Sequence, residues 1–490
     1  MILFEYTAYD ALGLAELIKT GSVSPEEVLS AAIANIEEKN PVYHAVVSTL
    51  YDEARQQLDN LDLSLPLAGV PILLKDLMCD YKGIATASGS RWTKTWPAAS
   101  HGPLVQAYLS VGLIIIGKTA VPEFGLGAVT EPAAFPHPQN PVAPHLTPGG
   151  SSGGAAVAVA TRMVPLAHAN DGGGSIRIPA ACCGLFGLKP TTGRVLAGST
   201  LWARRWNGLI VDHVLTRSVR DSACLLDLTQ DPETRPYLPQ PEDSYLKALT
   251  RPLKSLKIGC LATPVFGQFP IAKECGLALD SASQHLHALR HTCIDITLNI
   301  DSTALRKAYS VLVASELSQM MKILTQQIGA PPLKEDIELA SHFIAEFGRF
   351  YTASDYLDAV HSTQQAKTAM NDAFNSVDMI MAPTLARAPV PQGYFQPSTI
   401  EMLILKVIGW LKAKKGFLFV EAALTKKLFD YVAFTPLCNM TGHPAMSLPL
   451  YRTQPEGAPI GIDIMGQLGD EERLLQLAFQ LEPVMIHQEL

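Results

Sequence analysis

An α/β fold, a sheet with helices on both of its faces, is what the sequence predicts, because short apolar segments of strand length alternate along it with helical segments. Two further observations support that class. The 490 residues are 48% hydrophobic and only 17% charged, which is enough apolar material for a wide buried interior. Ile114, Ile115 and Ile116 form an unbroken β-branched run, which suits a strand covered on both sides.

The elements follow in chain order. Ser24, Pro25 and Glu27 form a capping box with proline at the first helical position, launching a helix that runs to about residue 38. Val28, Leu29, Ala32, Ile33 and Ile36 recur on it at helical spacing and predict its core face. Strands are predicted at 69–75, 113–117 and 164–168, with helices at 103–110 and 155–163 between them. Later strands are predicted at 256–261 and 379–381.

The character changes over 385–430. Pro389, Pro391 and Pro397 give way to an apolar stretch at 402–420 that Lys406, Lys412, Lys414 and Lys415 interrupt too often for a membrane span. Three readings fit it: a buried helix, a lid that sets Trp410 or Phe417 against substrate, or a surface touching a membrane or a partner. Deleting a true lid changes the kinetics, which separates the second reading from the others.

Two glycine-rich runs carry the chemistry. Gly149-Gly150-Ser151-Ser152-Gly153-Gly154 and Asp171-Gly172-Gly173-Gly174-Ser175-Ile176-Arg177 set serines among backbones without side chains. Glycine permits positive φ, so successive N–H groups can converge on a point of negative charge. A serine there needs a base. Lys75 ends the apolar segment Val70-Pro71-Ile72-Leu73-Leu74, and burial can lower a lysine pKa from about 10.4 by several units. Neighbouring Asp76 points to the other face of a strand, so it need not hold Lys75 charged. Ser152 is expected to cap the helix that begins at Gly153.

Several other chemistries are excluded. A formal net charge of −8 supplies no basic footprint for nucleic acid. The 8 cysteines lack the spacing of a zinc site or a disulfide scaffold, and the 13 histidines form no metal-binding motif, so no metal or cofactor is expected. His168, seven residues before Ser175, reads as a structural histidine on an apolar strand rather than as a catalytic base. Gly112 to Thr119 fits the text of a phosphate-binding loop, but its β-branched middle is a strand and cannot wrap a phosphate. Gly150-Ser151-Ser152-Gly153-Gly154 fits a nucleophile elbow, yet Pro141, Pro144 and Pro148 deny it the preceding strand. The amino terminus has no basic, long-apolar leader, which sets a cytoplasmic location as the expectation.

Together the glycine-serine run at 149–154, the Asp-Gly-Gly-Gly-Ser-Ile-Arg-Ile-Pro run at 171–179, Gly184-Leu185-Phe186-Gly187-Leu188-Lys189-Pro190-Thr191 and the Gly69-Val70-Pro71 to Lys75-Asp76 segment resemble the amidase signature family. The resemblance covers nearly the whole chain and is weakest over 220–430. It implies one domain over 1–490, a signature core at 67–195, a variable segment at 385–430, and a large mixed sheet. It implies a Ser-Ser-Lys triad of Ser175 as nucleophile, Ser151 as the bridging serine on a cis peptide, and Lys75 as base. It further implies an oxyanion hole at Gly172, Gly173 and Gly174, with Asp171 and Arg177 bracing the loop and Ser152 in support.

The implied activity is hydrolysis of a small or linear apolar amide through an acyl-enzyme. The expected partner is a small-molecule amide, with no nucleic acid and no membrane span; a homodimer is compatible with this. Asn170 and Cys182 depart from the residues common in the family, threonine and a bulky residue. Ile178-Pro179 differs from the glutamine-proline of the tRNA-dependent amidotransferase subunit, which favours a free-standing amidase. The wording from Ala169 to Gly174 resembles the bacterial branch that includes 6-aminohexanoate-cyclic-dimer hydrolase. A glutaminase subunit of an amidotransferase and a catalytically idle binding relative are the alternatives.

Overall fold

The computed structural model describes residues 3–201, 206–396, 425–455 and 457–486. Eleven strands among them join in one sheet. In chain order they are β1 (Val46–Thr49), β2 (Pro71–Lys75), β3 (Ile114–Thr119), β4 (Leu166–Asp171), β5 (Phe186–Lys189), β6 (Val211–Thr216), β7 (Lys257–Cys260), β8 (Thr292–Asp295), β9 (Met379–Pro383), β10 (Ala445–Arg452) and β11 (Pro459–Met465). Across the sheet the order is β1-β3-β2-β4-β6-β5-β10-β11-β9-β7-β8. β2 runs parallel to β3 and β4, and β7 to β8 and β9. The remaining neighbours are antiparallel, so the sheet is mixed.

Alternation along the strands splits the interior into two layers. On β9, Met379 and Met381 enter a core with Val28 and Leu29 of the helix Pro25–Tyr43, with the helix Gly153–Ala160 and with Cys275 and Leu279 of the helix Lys273–Ala288. Ile380 and Ala382 enter the opposite core, with Leu305 and Leu312 of the helix Ser302–Ile328 and Met370 of the helix Ala353–Phe374. Helices therefore cover both faces, as the alternation predicts.

Individual elements lie close to expectation, with differences that have causes. The helix Pro103–Ser110 coincides with its predicted span, and the capping box of Ser24 and Glu27 is formed. The helix capped by Ser24 runs to Tyr43 rather than ending near residue 38: Pro41 sits in its last turns, and His44 closes it in the left-handed conformation at φ 50°. β4 begins at Leu166 and continues through His168, Asn170 and Asp171. Its polar end stays in the sheet because each of those side chains finds a buried partner. The three readings of 402–420, with Trp410 and Phe417, fall outside the described residues. No described helix is long and apolar enough to cross a membrane.

Candidate active site

Lys75 closes β2, a strand with every residue buried, and its side chain has no solvent exposure. β4 lies parallel beside it, so the carboxyl ends of both strands open on the same edge of the sheet, where α/β folds build their sites. Lys75 Nζ is 2.8 Å from Ser151 Oγ, 2.6 Å from Asn170 Oδ1 and 3.2 Å from the Asn170 carbonyl oxygen. Burial lowers its pKa to about 7, against the opposing pull of Asp171 and Asp212. The amine is thus easily neutral at physiological pH. Asp76 faces away, 3.7 Å from Lys118 Nζ and accepting the Ala87 N–H at 3.0 Å.

Ser151 comes from the loop that feeds the helix Gly153–Ala160, and the peptide joining it to Gly150 is cis. A side chain at Gly150 would put Cβ 2.6 Å from the Val129 backbone, so only glycine lets the loop pack this closely. Ser152 occupies the helix N-cap without capping it. Its hydroxyl donates to the Asn170 carbonyl at 3.3 Å, while Thr130 Oγ1 accepts the Gly153 N–H at 3.1 Å. The expected cap is therefore replaced: the Asn170 carbonyl draws the Ser152 hydroxyl into the site, and Thr130 serves the helix end from elsewhere in the chain.

Beyond β4 the chain turns through Gly172, Gly173, Gly174 and Ser175 into the helix Arg177–Cys183. Arg177 and Asp171, both without exposure, brace this turn. Arg177 Nε is 3.0 Å from Asp171 Oδ2, and Nη2 is 3.2 Å from Oδ1. Burial alone would raise the Asp171 pKa, but the guanidinium charge and its hydrogen bonds hold the carboxyl well below the usual range. Arg177 also reaches Asp463 Oδ2 at 3.0 Å, the Thr435 carbonyl at 2.8 Å and Asn439 Oδ1 at 2.8 Å.

Gly174 adopts φ 122°, and its N–H donates to Asp171 Oδ1 at 2.6 Å. This differs from the expected three-glycine hole: the Gly174 N–H is occupied by the carboxylate that shapes the turn. Among the described residues the N–H groups of Gly172, Gly173 and Ser175 make no hydrogen bond. The Gly172 carbonyl accepts from Tyr309 at 3.3 Å and the Gly173 carbonyl from Thr435 at 2.8 Å. Ser175 is half-buried, and among the described residues its hydroxyl is without a hydrogen-bond partner. The structure thus joins Lys75 to Ser151 directly and holds Ser175 on the adjoining braced turn, with no hydrogen bond from Ser175 to Ser151.

Sequence reasoning leaves several neighbours unassigned. Asn170 stands out only as a departure from a family pattern, yet it supplies both oxygen acceptors of the lysine amine besides Ser151. Thr435, Asn439 and Asp463 brace the turn from more than 250 residues away, and no local pattern marks them. His168 accepts the Lys75 backbone N–H on Nδ1 at 3.2 Å, which leaves Nε2 to donate to Asp212 at 3.0 Å. It is a structural histidine. Lys118, in the stretch that mimics a phosphate loop, lies in β3 and donates to Ala85 O at 2.9 Å and Thr86 Oγ1 at 2.7 Å. The eight cysteines are unpaired, and no group of metal-binding side chains occurs among the described residues.

The amidase family model matches residues 27–475. A 6-aminohexanoate-cyclic-dimer hydrolase of Paenarthrobacter ureafaciens is 32% identical over 480 residues, covering 96% of this chain and 94% of the relative. The solved structure of a 6-aminohexanoate cyclic dimer hydrolase superposes with a TM-score of 0.86 at 30% identity, over 98% of this chain and 97% of that one. A glutamyl-tRNA(Gln) amidotransferase subunit from Prochlorococcus marinus is 31% identical, with 95% of each chain covered.

Proposed function

The chain belongs to the amidase family, and from that premise we propose that it hydrolyses the C–N bond of a small or linear apolar amide through an acyl-enzyme on Ser175. The observation that carries this reading is the buried Lys75 amine, with a pKa near 7, at 2.8 Å from the Ser151 hydroxyl. A buried lysine held near neutrality costs stability, and such groups cluster at functional sites, which counts against an idle relative.

In this mechanism neutral Lys75 takes the Ser151 proton, Ser151 takes that of Ser175, and the Ser175 oxygen attacks the amide carbonyl carbon. The carbonyl oxygen becomes an oxyanion, and the N–H groups at Gly172, Gly173 and Ser175, which make no hydrogen bond among the described residues, are the donors offered to it. Each such donor typically contributes on the order of 10²–10³ in rate. The relay returns its proton to the leaving nitrogen as the C–N bond breaks. Water, deprotonated by the same relay, then attacks the acyl-enzyme, releasing the acid and restoring Ser175.

Two carbonyls of the nucleophile turn are already held by Tyr309 and Thr435, so the turn is organised before substrate arrives. The named relatives include a cyclic-amide hydrolase and a component of an amidotransferase, and Ile178-Pro179 favours the free-standing enzyme. Tests follow directly. A fluorophosphonate should label wild-type protein on Ser175, and Ser175→Ala and Lys75→Ala should each lose amide turnover while remaining folded. Near-wild-type hydrolysis by either variant would sink the assignment. A panel of aliphatic, aromatic and cyclic amides, with glutamine included, identifies the substrate class and separates the amidotransferase reading.

A further inference from the structure

We propose that Asn170 is the positioning residue for Lys75: by accepting the amine's hydrogens on two oxygens of one residue, it turns the remaining nitrogen valence onto Ser151 and sets the direction of proton flow. This rests on the reading of Lys75 as the base. The geometry is specific. Among the described residues Lys75 Nζ has three hydrogen-bond partner atoms, Asn170 Oδ1 at 2.6 Å, the Asn170 carbonyl oxygen at 3.2 Å and Ser151 Oγ at 2.8 Å.

Both Asn170 atoms are carbonyl oxygens, so both can only accept. The orientation of the side-chain amide is also decided, because its Nδ2 donates to the Leu77 carbonyl at 3.1 Å and leaves Oδ1 for the lysine. A neutral amine has two N–H bonds and one lone pair. With both hydrogens on Asn170, the lone pair faces the Ser151 hydroxyl, which must then donate. Once the proton has moved, the ammonium carries three N–H bonds, and the third points back at Ser151 ready for return. No atom has to rotate between the two states.

Other groups around the amine cannot do this. Asp171 is held by Arg177, Asp212 by His168, and Asp76 is paired with Lys118 on the opposite face of β2. Asp171 and Asp212 act on Lys75 through charge alone. Asn170 is itself only 3% exposed, so its oxygens meet the amine away from bulk solvent.

The experiment measures the rate of Ser175 labelling by a fluorophosphonate, from about pH 5 to about pH 10, in wild type, Asn170→Asp and Asn170→Ala. Asn170→Asp puts a carboxylate on the amine and should move the acid limb up by about 1–3 pH units, with labelling recovered at alkaline pH. Asn170→Ala removes an acceptor that favours the ammonium. It should move the limb down and lower the plateau by roughly tenfold or more, because the lone pair loses its aim. A purely structural role would lower the plateaus without these opposite shifts. Unmoved limbs, or shifts of the same sign, overturn the proposal, and if Asn170→Asp does not fold, an unmoved limb in Asn170→Ala overturns it alone, whatever its plateau. Failure of wild type to label at any pH would instead remove the assignment of Ser175.

Discussion

Replacing Arg177 with methionine should separate the stability of the turn that carries Ser175 from the chemistry proposed for it. The guanidinium is unexposed and makes five hydrogen bonds at 2.8–3.2 Å, two to Asp171 and one each to Asp463, Thr435 and Asn439. Methionine preserves much of the stem and deletes the charge, leaving two buried carboxylates unpaired. Breaking one buried pair by removing a partner typically costs about 3–5 kcal/mol. The carboxylates soften this unequally. Asp463, already raised to about 6 by burial, takes up a proton readily, whereas Asp171 keeps its bonds from Gly174, Ile176 and Asn439. A loss within that range, measured as the urea midpoint at neutral pH, is the expected outcome.

The sign of its pH dependence follows. In wild type Asp171 has a depressed pKa, so its stabilising contribution is present at neutral pH and is lost in acid. Without Arg177, burial raises that pKa, so the variant gains stability as pH falls through it, in a range above the one where wild type loses its own contribution. The difference between them should therefore narrow towards about pH 4. Adding Asp463→Asn removes one stranded charge and should restore about 1 kcal/mol or more. It should not restore Ser175 labelling, expected to fall on the order of 10²-fold in Arg177→Met because the turn is no longer held in place. A midpoint and a labelling rate both unchanged in Arg177→Met would refute the reasoning, as would recovery of activity once Asp463→Asn is added.

Four further outcomes are expected. Labelling and kcat/KM should rise with unit slope through pH about 7, since Lys75 must be neutral, and fall about tenfold per pH unit below it. The same depressed pKa makes the charged lysine a liability in the fold, a cost that is full below pH 7 and disappears as pH rises towards the unfolded value of 10.5; Lys75→Met should thus raise the melting temperature more in mild acid than in alkali. Gly174→Ala places a Cβ 2.4 Å from Thr435 Oγ1 at φ 122°, so thermal scans should show a loss of about 1–3 kcal/mol together with weaker labelling. Thr130→Val should cost about 1 kcal/mol through the helix end that Thr130 serves, whereas Ser152→Ala should leave that helix end intact and lose only its bond to Asn170, a difference that denaturation midpoints can resolve.

How much is legible in the sequence follows from the range over which each feature is determined. The glycine runs, the lysine at a strand end and the capping box of Ser24 and Glu27 are local: the required conformation or hydrogen bond lies within a few residues, so residue type alone reveals it. The same holds for the buried run Ile114 to Ile116, whose β-branching outweighs its likeness to a phosphate loop. β4 is harder to delimit, because Asn170 and Asp171 look like a strand ending until Lys75 and Arg177 are placed against them. The role of Ser152 is equally hidden, since capping residues are named by position, and the choice between helix end and Asn170 carbonyl is made in space.

The sequence by itself determined the fold class, the two glycine-rich runs and the residue types of the proposed Lys75, Ser151 and Ser175 constellation. Only the tertiary structure decided that Asn170 takes the lysine hydrogens, that Gly174 donates to Asp171, and that Thr435, Asn439 and Asp463 close around Arg177. The physical reason is the order of the strands. β10 pairs with β5 and β11 with β10 in the middle of the sheet, so residues separated by more than 250 positions share one dry site, where a charge is tolerated only if the partners that the fold delivers are already in place.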